Sequence, residues 1–139
     1  MIIAIRYDSK TGYTKKLAEA IGQALGVPAL TVDQPLPERV DLLFLGSSVY
    51  AAGASSEVKQ FIAGLNGEKV GKAACFSTAA LLPSTYGQVS RLMRQRGVTV
   101  DSREFHCRGQ FKMMHRGRPD ENDLENARKF ARELAGDRV

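Results

Sequence analysis

Residues 2–14, IIAIRYDSKTGYT, decide the fold, because an apolar strand, a short polar loop and the start of a helix follow one another directly. Ile2–Tyr7 has the composition of a buried strand. From Thr14 to Leu25 the apolar residues recur at helical spacing, and Gly26 is placed to end the helix. This succession of strand, loop and helix is the repeating unit of a parallel α/β sheet.

The remainder of the chain repeats the alternation. Further strands are predicted at Ala29–Val32, Asp41–Gly46, Lys72–Thr78 and Val98–Cys107. Apolar stripes predict three more helices, over Val58–Leu65, Val89–Arg96 and Leu124–Leu134. Ser55 is placed to cap the second helix. Five strands and four helices predict a doubly wound α/β fold with a parallel sheet covered on both faces, in one domain over residues 1–139.

Composition indicates an ordinary globular chain. Of its 139 residues, 43% are hydrophobic and 25% charged, which is enough to form a core without disulfides. Cys75 lies in an apolar run, which favours a buried, inert thiol. Charge follows the N-terminus too early for a signal peptide, and no apolar run approaches the ~18 residues of a membrane span. We therefore expect a cytoplasmic protein with no membrane partner.

The net charge of +5 is unevenly distributed. Residues 1–70 are balanced, whereas residues 91–118 are strongly basic. Eight cations in that region face only Asp101 and Glu104: Arg91, Arg94, Arg96, Arg103, Arg108, Lys112, Arg116 and Arg118. Such a region attracts nucleic acid, an acidic protein or an anionic ligand, or else is a solvated surface without a partner. Few aromatic residues lie among these cations, which disfavours the base stacking of nucleic-acid binding.

The first loop, residues 8–14, combines hydroxyl side chains with a glycine at the start of a helix. Unpaired N–H groups at a helix start favour an anion, and the hydroxyls of Ser9, Thr11 and Thr14 can donate to several phosphate oxygens. A monophosphate fits better than a triphosphate, because the GxxxxGK[ST] lysine is missing. The alternative is a cluster of capping side chains that binds no ligand.

The stretch SKTGYT resembles the flavodoxin phosphate-binding signature, S/T-x-T-G-x-T/S. The resemblance implies a flavodoxin-like three-layer fold with strand order 2-1-3-4-5, and FMN as the cofactor. It also implies that hydroxyls and backbone amides of this loop hold the FMN 5′-phosphate. The residues so assigned are Ser9, Lys10, Thr11, Gly12, Tyr13 and Thr14.

The second loop, residues 46–53 (GSSVYAAG), resembles the second flavin loop of the same family, G-[ST]-x-x-Y followed by small residues. By this resemblance Tyr50 covers one face of the isoalloxazine, and the small residues after it let the backbone turn toward the ring. A half-buried packing role is the alternative for Tyr50. The implied cofactor contacts are Ser47, Ser48, Val49, Tyr50, Ala51, Ala52 and Gly53.

The third loop, residues 77–84, follows the fourth strand, where family members contact the pyrimidine edge of the flavin with backbone N–H groups. The implied contacts are Ser77, Thr78, Ala79 and Ala80. No side chain is assigned a catalytic role. A metal site is not expected, because His106 and His115 have no partner at ligand spacing.

The resemblance implies a redox protein that uses FMN for electron transfer or for reduction of a small or protein acceptor. Typical flavodoxin carriers are acidic, so the basic charge of this chain points instead to an acidic or anionic redox partner or acceptor. The alternative is a flavin-free interaction module that uses the basic region 91–118. A response-regulator receiver is disfavoured because Leu45-Gly46-Ser47 supplies no aspartate at the end of the third strand. A low-molecular-weight tyrosine phosphatase is excluded because no cysteine precedes Cys75.

Overall fold

Five strands and four helices alternate in the part of the chain that the structure, a computed structural model, describes. The description covers residues 1–8, 12–49, 54–79, 86–108 and 119–136, with the backbone alone for residues 48, 49, 79, 107 and 108. The elements are β1 (Ile3–Tyr7), α1 (Tyr13–Leu25), β2 (Ala29–Thr31), β3 (Val40–Val49), α2 (Ser56–Ala63), β4 (Val70–Ala79), α3 (Tyr86–Gln95), β5 (Val100–Arg108) and α4 (Glu121–Gly136).

The strands form one parallel sheet in the order β2-β1-β3-β4-β5. This confirms the predicted fold class and strand order. In the register of the sheet Tyr7 lies opposite Gly46, Gly46 opposite Phe76, and Phe76 opposite Phe105. The carboxyl ends of these four strands therefore meet at one edge, and the segments that follow them leave from that edge.

Two apolar clusters cover the two faces of the sheet, as a three-layer sandwich requires. Helices α1 and α4 pack on one face, where Leu17, Phe44 and Ala131 are fully buried. Helices α2 and α3 pack on the other face, which includes Cys75. Burial raises the pKa of the Cys75 thiol to about 12, so the predicted buried and inert thiol is confirmed.

Local sequence signals end and begin the helices where expected. Gly26 adopts a left-handed conformation (φ +69°) at the end of α1, which a glycine tolerates without strain. At the start of α2 the Ser55 hydroxyl accepts a hydrogen bond from the Val58 amide at 3.2 Å, as predicted. Asp120 and Asp123 exchange the same kind of bond at the start of α4.

Strands β3 and β4 are longer than predicted. Each runs for ten residues, whereas the apolar pattern predicted Asp41–Gly46 and Lys72–Thr78. At the carboxyl end of β3 the polar Ser47 and Ser48 remain in the ladder, paired with Ser77 and Thr78, whereas β4 gains Val70, Gly71 and Ala79. Apolar periodicity underestimates a strand whose end is polar.

Gly46 permits a close approach between neighbouring strands. A Cβ atom added at this position would overlap the ring of Phe76, which is 1% exposed and packs across β3. A large aromatic ring in the central layer thus requires a residue without a side chain opposite it. The glycine at the start of the second loop is accounted for by packing.

We expect Gly46→Ala to destabilise the protein by about 1–3 kcal/mol, because Phe76 must leave its position or β3 and β4 must separate. Chemical denaturation measures the change. Gly87→Ala is the matched control: a Cβ atom at this exposed helical position meets nothing within 4 Å, so it should leave stability unchanged or slightly raised. Equal effects of the two substitutions would contradict this account of Gly46.

Candidate functional site

The first, second and third loops begin side by side at the carboxyl edge of the sheet. Asp8 follows β1, and its amide donates to the carbonyl of Gly46 at 3.1 Å. The second loop starts on β3, and the third loop starts on β4 beside it. In parallel sheets this edge, near the point where strand order reverses, is where ligands bind. Here the reversal lies between β1 and β3.

In the first loop Gly12 supplies a backbone conformation that other residues rarely adopt. Its φ is +89°, and it stands at the start of α1 without a side-chain cap. Tyr13 opens the helix half-buried, with the Lys16 ammonium 5.6 Å from its ring centroid. As the N-cap residue, Gly12 supplies no capping side chain of its own. The predicted residues Ser9, Lys10 and Thr11 lie outside the described residues.

Thr14 joins the first loop to the third. Its hydroxyl oxygen lies 2.7 Å from the hydroxyl oxygen of Thr78, and both side chains are buried. The pair connects the first turn of α1 to the end of β4 across the face that α1 covers. Two predicted site residues from distant parts of the sequence are thus brought into direct contact.

The buried serines of the second and third loops lie on the opposite face of the sheet. Ser47 and Ser77 are neighbours in the β3–β4 register and are 2% and 1% exposed. The hydroxyl of Ser77 has no hydrogen-bond partner among the described residues. A buried hydroxyl without a partner is costly, so this atom marks a place where a further group is needed.

Several predicted contacts of these loops are described in part or not at all. The backbones of Ser48, Val49 and Ala79 belong to the ladder between β3 and β4. The other predicted contacts lie outside the described residues: Tyr50, Ala51, Ala52, Gly53 and Ala80.

Sequence reasoning missed Gln88. Its side-chain oxygen accepts a hydrogen bond at 2.9 Å from the amide of Ala54, the residue directly after the second loop. In the sequence Gln88 is one polar residue in an amphipathic helix, and a glutamine there is typical of a solvated position. The contact follows from where α3 begins and from how α3 packs against α2, and the sequence specifies neither.

An acidic groove lies beside the first loop at the β2 end of the sheet. Its volume is about 470 Å³, and its lining includes Asp8, Asp33, Glu57 and Phe61. Three carboxylates repel a phosphate group. A phosphate ligand of the first loop is therefore disfavoured in this groove.

The described part of the basic region is an exposed surface on α3 and β5. Arg91, Arg94 and Arg96 are exposed, and α3 contains no acidic residue. The Arg94 guanidinium donates to the Tyr86 hydroxyl, and that hydroxyl donates to the Asp101 carbonyl. Residues 109–118, with Lys112, Arg116 and Arg118, lie outside the description.

Asp101 is shared by two cations. Its buried carboxylate lies 2.5 Å from the Lys72 ammonium and 2.9 Å from the Arg103 guanidinium. Hydrogen bonds from Arg103 and Lys72 hold the pKa of Asp101 well below its usual range, although burial acts the other way. Part of the basic region is thus structural, while the cluster still carries an excess positive charge.

A protein-family model described as "Flavodoxin domain" matches residues 4–107. The chain belongs to the flavodoxin domain family. The matched residues include all three loops and both members of the Thr14–Thr78 contact. The family and fold together support a flavin-binding redox protein of the flavodoxin type.

Solved flavodoxin structures show the same fold. A flavodoxin from the domain Archaea superposes with a TM-score of 0.81 at 18% identity, over 99% of this chain and 98% of that one. Oxidised flavodoxin 2 from Bacillus cereus gives 0.75 at 19% identity, over 99% of both chains. Two-electron reduced Megasphaera elsdenii flavodoxin gives 0.64 at 19%, over 91% and 98%. No curated protein sequence matches this flavodoxin domain significantly.

Within the described residues no three His, Cys, Asp or Glu side chains are grouped to hold a metal ion, and His106 pairs with Glu104 at 2.7 Å. No helix in the described ranges is long and apolar enough to cross a bilayer.

We expect the Thr14–Thr78 bond to stabilise the flavodoxin domain. Replacing either threonine by valine keeps its shape but leaves the other buried hydroxyl without this partner, which costs about 1–3 kcal/mol. The double variant Thr14→Val with Thr78→Val should therefore lose about 1 kcal/mol less than the sum of the single losses. Denaturation of all four proteins measures this coupling, and additive losses would show that the two hydroxyls act independently.

Proposed function

We propose that this flavodoxin domain binds FMN between its three loops and serves in electron transfer or in reduction of a small or protein acceptor. The observation that carries the proposal is the sheet register, which places the starts of all three loops at one edge. These are the loops whose sequences resemble the phosphate, ring and pyrimidine contacts of flavodoxins. Flavin that is bound there supplies the one- and two-electron redox chemistry.

The first loop is suited to the phosphate end of FMN. Gly12 stands at the start of α1, and the N–H groups and dipole of a helix start favour an anion. The Thr14 and Thr78 hydroxyls have two protons between them and use one in their mutual bond. Thr14 lies in the first turn of α1, and it is the hydroxyl of this pair that we assign to the phosphate end.

The second and third loops are suited to the ring end. The unpartnered hydroxyl of Ser77 can donate to or accept from a polar edge of the ligand. Small residues follow both Tyr50 and Thr78, so the backbone can approach a flat ring closely. The residues present therefore fit FMN, and the chain's part in the chemistry is to bind, orient and partly exclude water.

Titration with FMN and with riboflavin tests the proposal. The two ligands share the ring system and differ in the phosphate, so the wild-type protein should bind FMN at least about 100-fold more tightly. Thr14→Val should weaken FMN about tenfold more than riboflavin, because the valine removes one donor to the phosphate, whereas loss of the Thr78 contact affects both ligands alike. Quenching of flavin fluorescence gives both dissociation constants.

Thr99→Val is the matched control, since Thr99 is exposed at the opposite edge of the sheet. It should leave both dissociation constants unchanged. Absence of FMN binding at micromolar concentrations would overturn the proposal and favour a flavin-free interaction module. Equal affinity for FMN and riboflavin would overturn the assignment of the first loop to phosphate.

The redox partner proposed for this domain is an acidic protein or an anionic acceptor. Support comes from the exposed arginines of α3 and from the excess positive charge around Asp101. Helices α1 and α4 on the other face carry acidic and basic residues in nearly equal number. An acidic surface would therefore be attracted to the α3–β5 side.

Arg91→Gln should weaken binding of poly-L-glutamate about two- to threefold at low salt, because Arg91 is an exposed cation on α3. Lys129→Gln removes one exposed charge from α4 and should change the affinity little. Calorimetry at low and physiological salt measures both, and the difference should shrink as salt is added. Equal effects of the two variants, or tighter binding of poly-uridine RNA than of poly-glutamate, would contradict the proposed partner.

A further inference from the structure

Gln88 occupies a special position between two of the loops. It lies in the first turn of α3, four residues beyond the third loop, while Ala54 directly follows the second loop. The Ala54 amide donates to the Gln88 side-chain oxygen at 2.9 Å across a sequence separation of 34 residues. The bond is side chain to backbone, so it fixes the main chain where the second loop ends.

Each end of this bond lies at the start of a helix that packs on the sheet. Ala54 is 6% exposed and packs in the core cluster that contains Val58 and Val89. The next residue, Ser55, caps α2, so the chain on the far side of Ala54 is fixed to that helix. On α3, Val89 and Met93 are buried against the sheet, which fixes the helix that carries Gln88. The bond therefore joins the start of α2 to the start of α3.

The core alone does not determine where the second loop ends. Ala54 has a methyl group as its side chain, and so small a group gives little directional packing. The amide of Ala54 is buried with the residue and requires an acceptor. Gln88 supplies that acceptor from the other helix, and its length sets the distance between the end of the second loop and the start of α3.

We propose that Gln88 is a positioning residue for the flavin site, which holds the second loop at the correct distance from the third. The inference rests on the proposed function in that both loops are assigned to the flavin ring. Gln88 acts through the backbone of Ala54. When the bond is lost, no hydrogen bond fixes the spacing between Ala54 and α3, and the apparent affinity falls with the fraction of molecules in the competent arrangement.

The decisive variants are Gln88→Leu and Gln88→Glu. Leucine has a similar size and no acceptor, whereas glutamate retains an acceptor oxygen at the same reach. We expect Gln88→Leu to weaken FMN binding about three- to tenfold and riboflavin binding by the same factor, because the loop contacts the ring and not the phosphate. Gln88→Glu should restore both affinities to within about twofold of the wild type.

Gln95→Leu is the matched control. It makes the same chemical change on the same helix, at an exposed position remote from the three loops. It should leave both affinities unchanged. Thermal unfolding of each variant without flavin separates positioning from general destabilisation: a merely structural role would lower the melting temperature and leave the dissociation constants unchanged.

A second measurement needs no flavin. Hydrogen exchange of the Ala54 amide, followed by NMR in the flavin-free protein, should accelerate about tenfold in Gln88→Leu and remain slow in Gln88→Glu and Gln95→Leu. Unchanged exchange in Gln88→Leu would overturn the proposed contact. Faster exchange with unchanged flavin affinity would overturn the positioning role. A wild-type protein that binds no flavin would refute the proposed function while the exchange data still decide the contact.

Discussion

The parallel pairing of β3 with β4 is the constraint on which the site depends. The order of the sheet reverses between β1 and β3, and β4 lies on the other side of β3. The pairing of β3 with β4 is continuous from Leu42 to Val49. The ladder therefore extends beyond the apolar core to the polar carboxyl edge of the sheet. The close approach of the Phe76 ring to Gly46 fixes that register, because a one-residue slip would place a side chain under the ring. Without this register the second and third loops would not start side by side.

Three contacts connect the three loops in pairs around this ladder. The Asp8 amide binds the Gly46 carbonyl, the Thr14 hydroxyl contacts that of Thr78, and Gln88 accepts from Ala54. The first is part of the continuing sheet and is fixed by strand register. The other two contacts use side chains of helices that cover opposite faces of the sheet. On one face Thr14 of α1 contacts Thr78 of β4, and on the other Gln88 of α3 contacts Ala54. These contacts hold the described ends of the three loops relative to one another.

The sequence predicted the features that depend on neighbours in the chain. Strand and helix alternation, the Gly26 stop, the Ser55 cap and the burial of Cys75 are local or periodic signals, and the structure confirms them. The strand order and the cofactor loops were predicted from the family resemblance. Apolar periodicity does not specify which strands pair. Gln88 and Arg6 could not be predicted, because their partners are set by tertiary packing. Arg6 lies in the apolar β1, 4% exposed, and donates to the carbonyls of Ile5, Gln34 and Pro35. A charged residue in a buried strand is tolerated there because backbone oxygens satisfy its donors.

The number of cations in the basic region can be read from the sequence, whereas their partners are set by the fold. Counting cations over residues 91–118 treats them as equivalent, but in the described part they differ in their partners. Arg103 neutralises Asp101 together with Lys72, whereas Arg94 and Arg96 donate to uncharged oxygens of Tyr86 and Leu65. A hydrogen bond to a neutral acceptor orients a guanidinium without cancelling its charge, so these two arginines are ordered and still positive. The carboxylates of Asp8, Asp33 and Glu57 lie at the other end of the sheet, beside β2. This separation gives the domain an electrostatic polarity across the loop edge, and polarity of that kind orients an approaching charged partner over distances of about a Debye length.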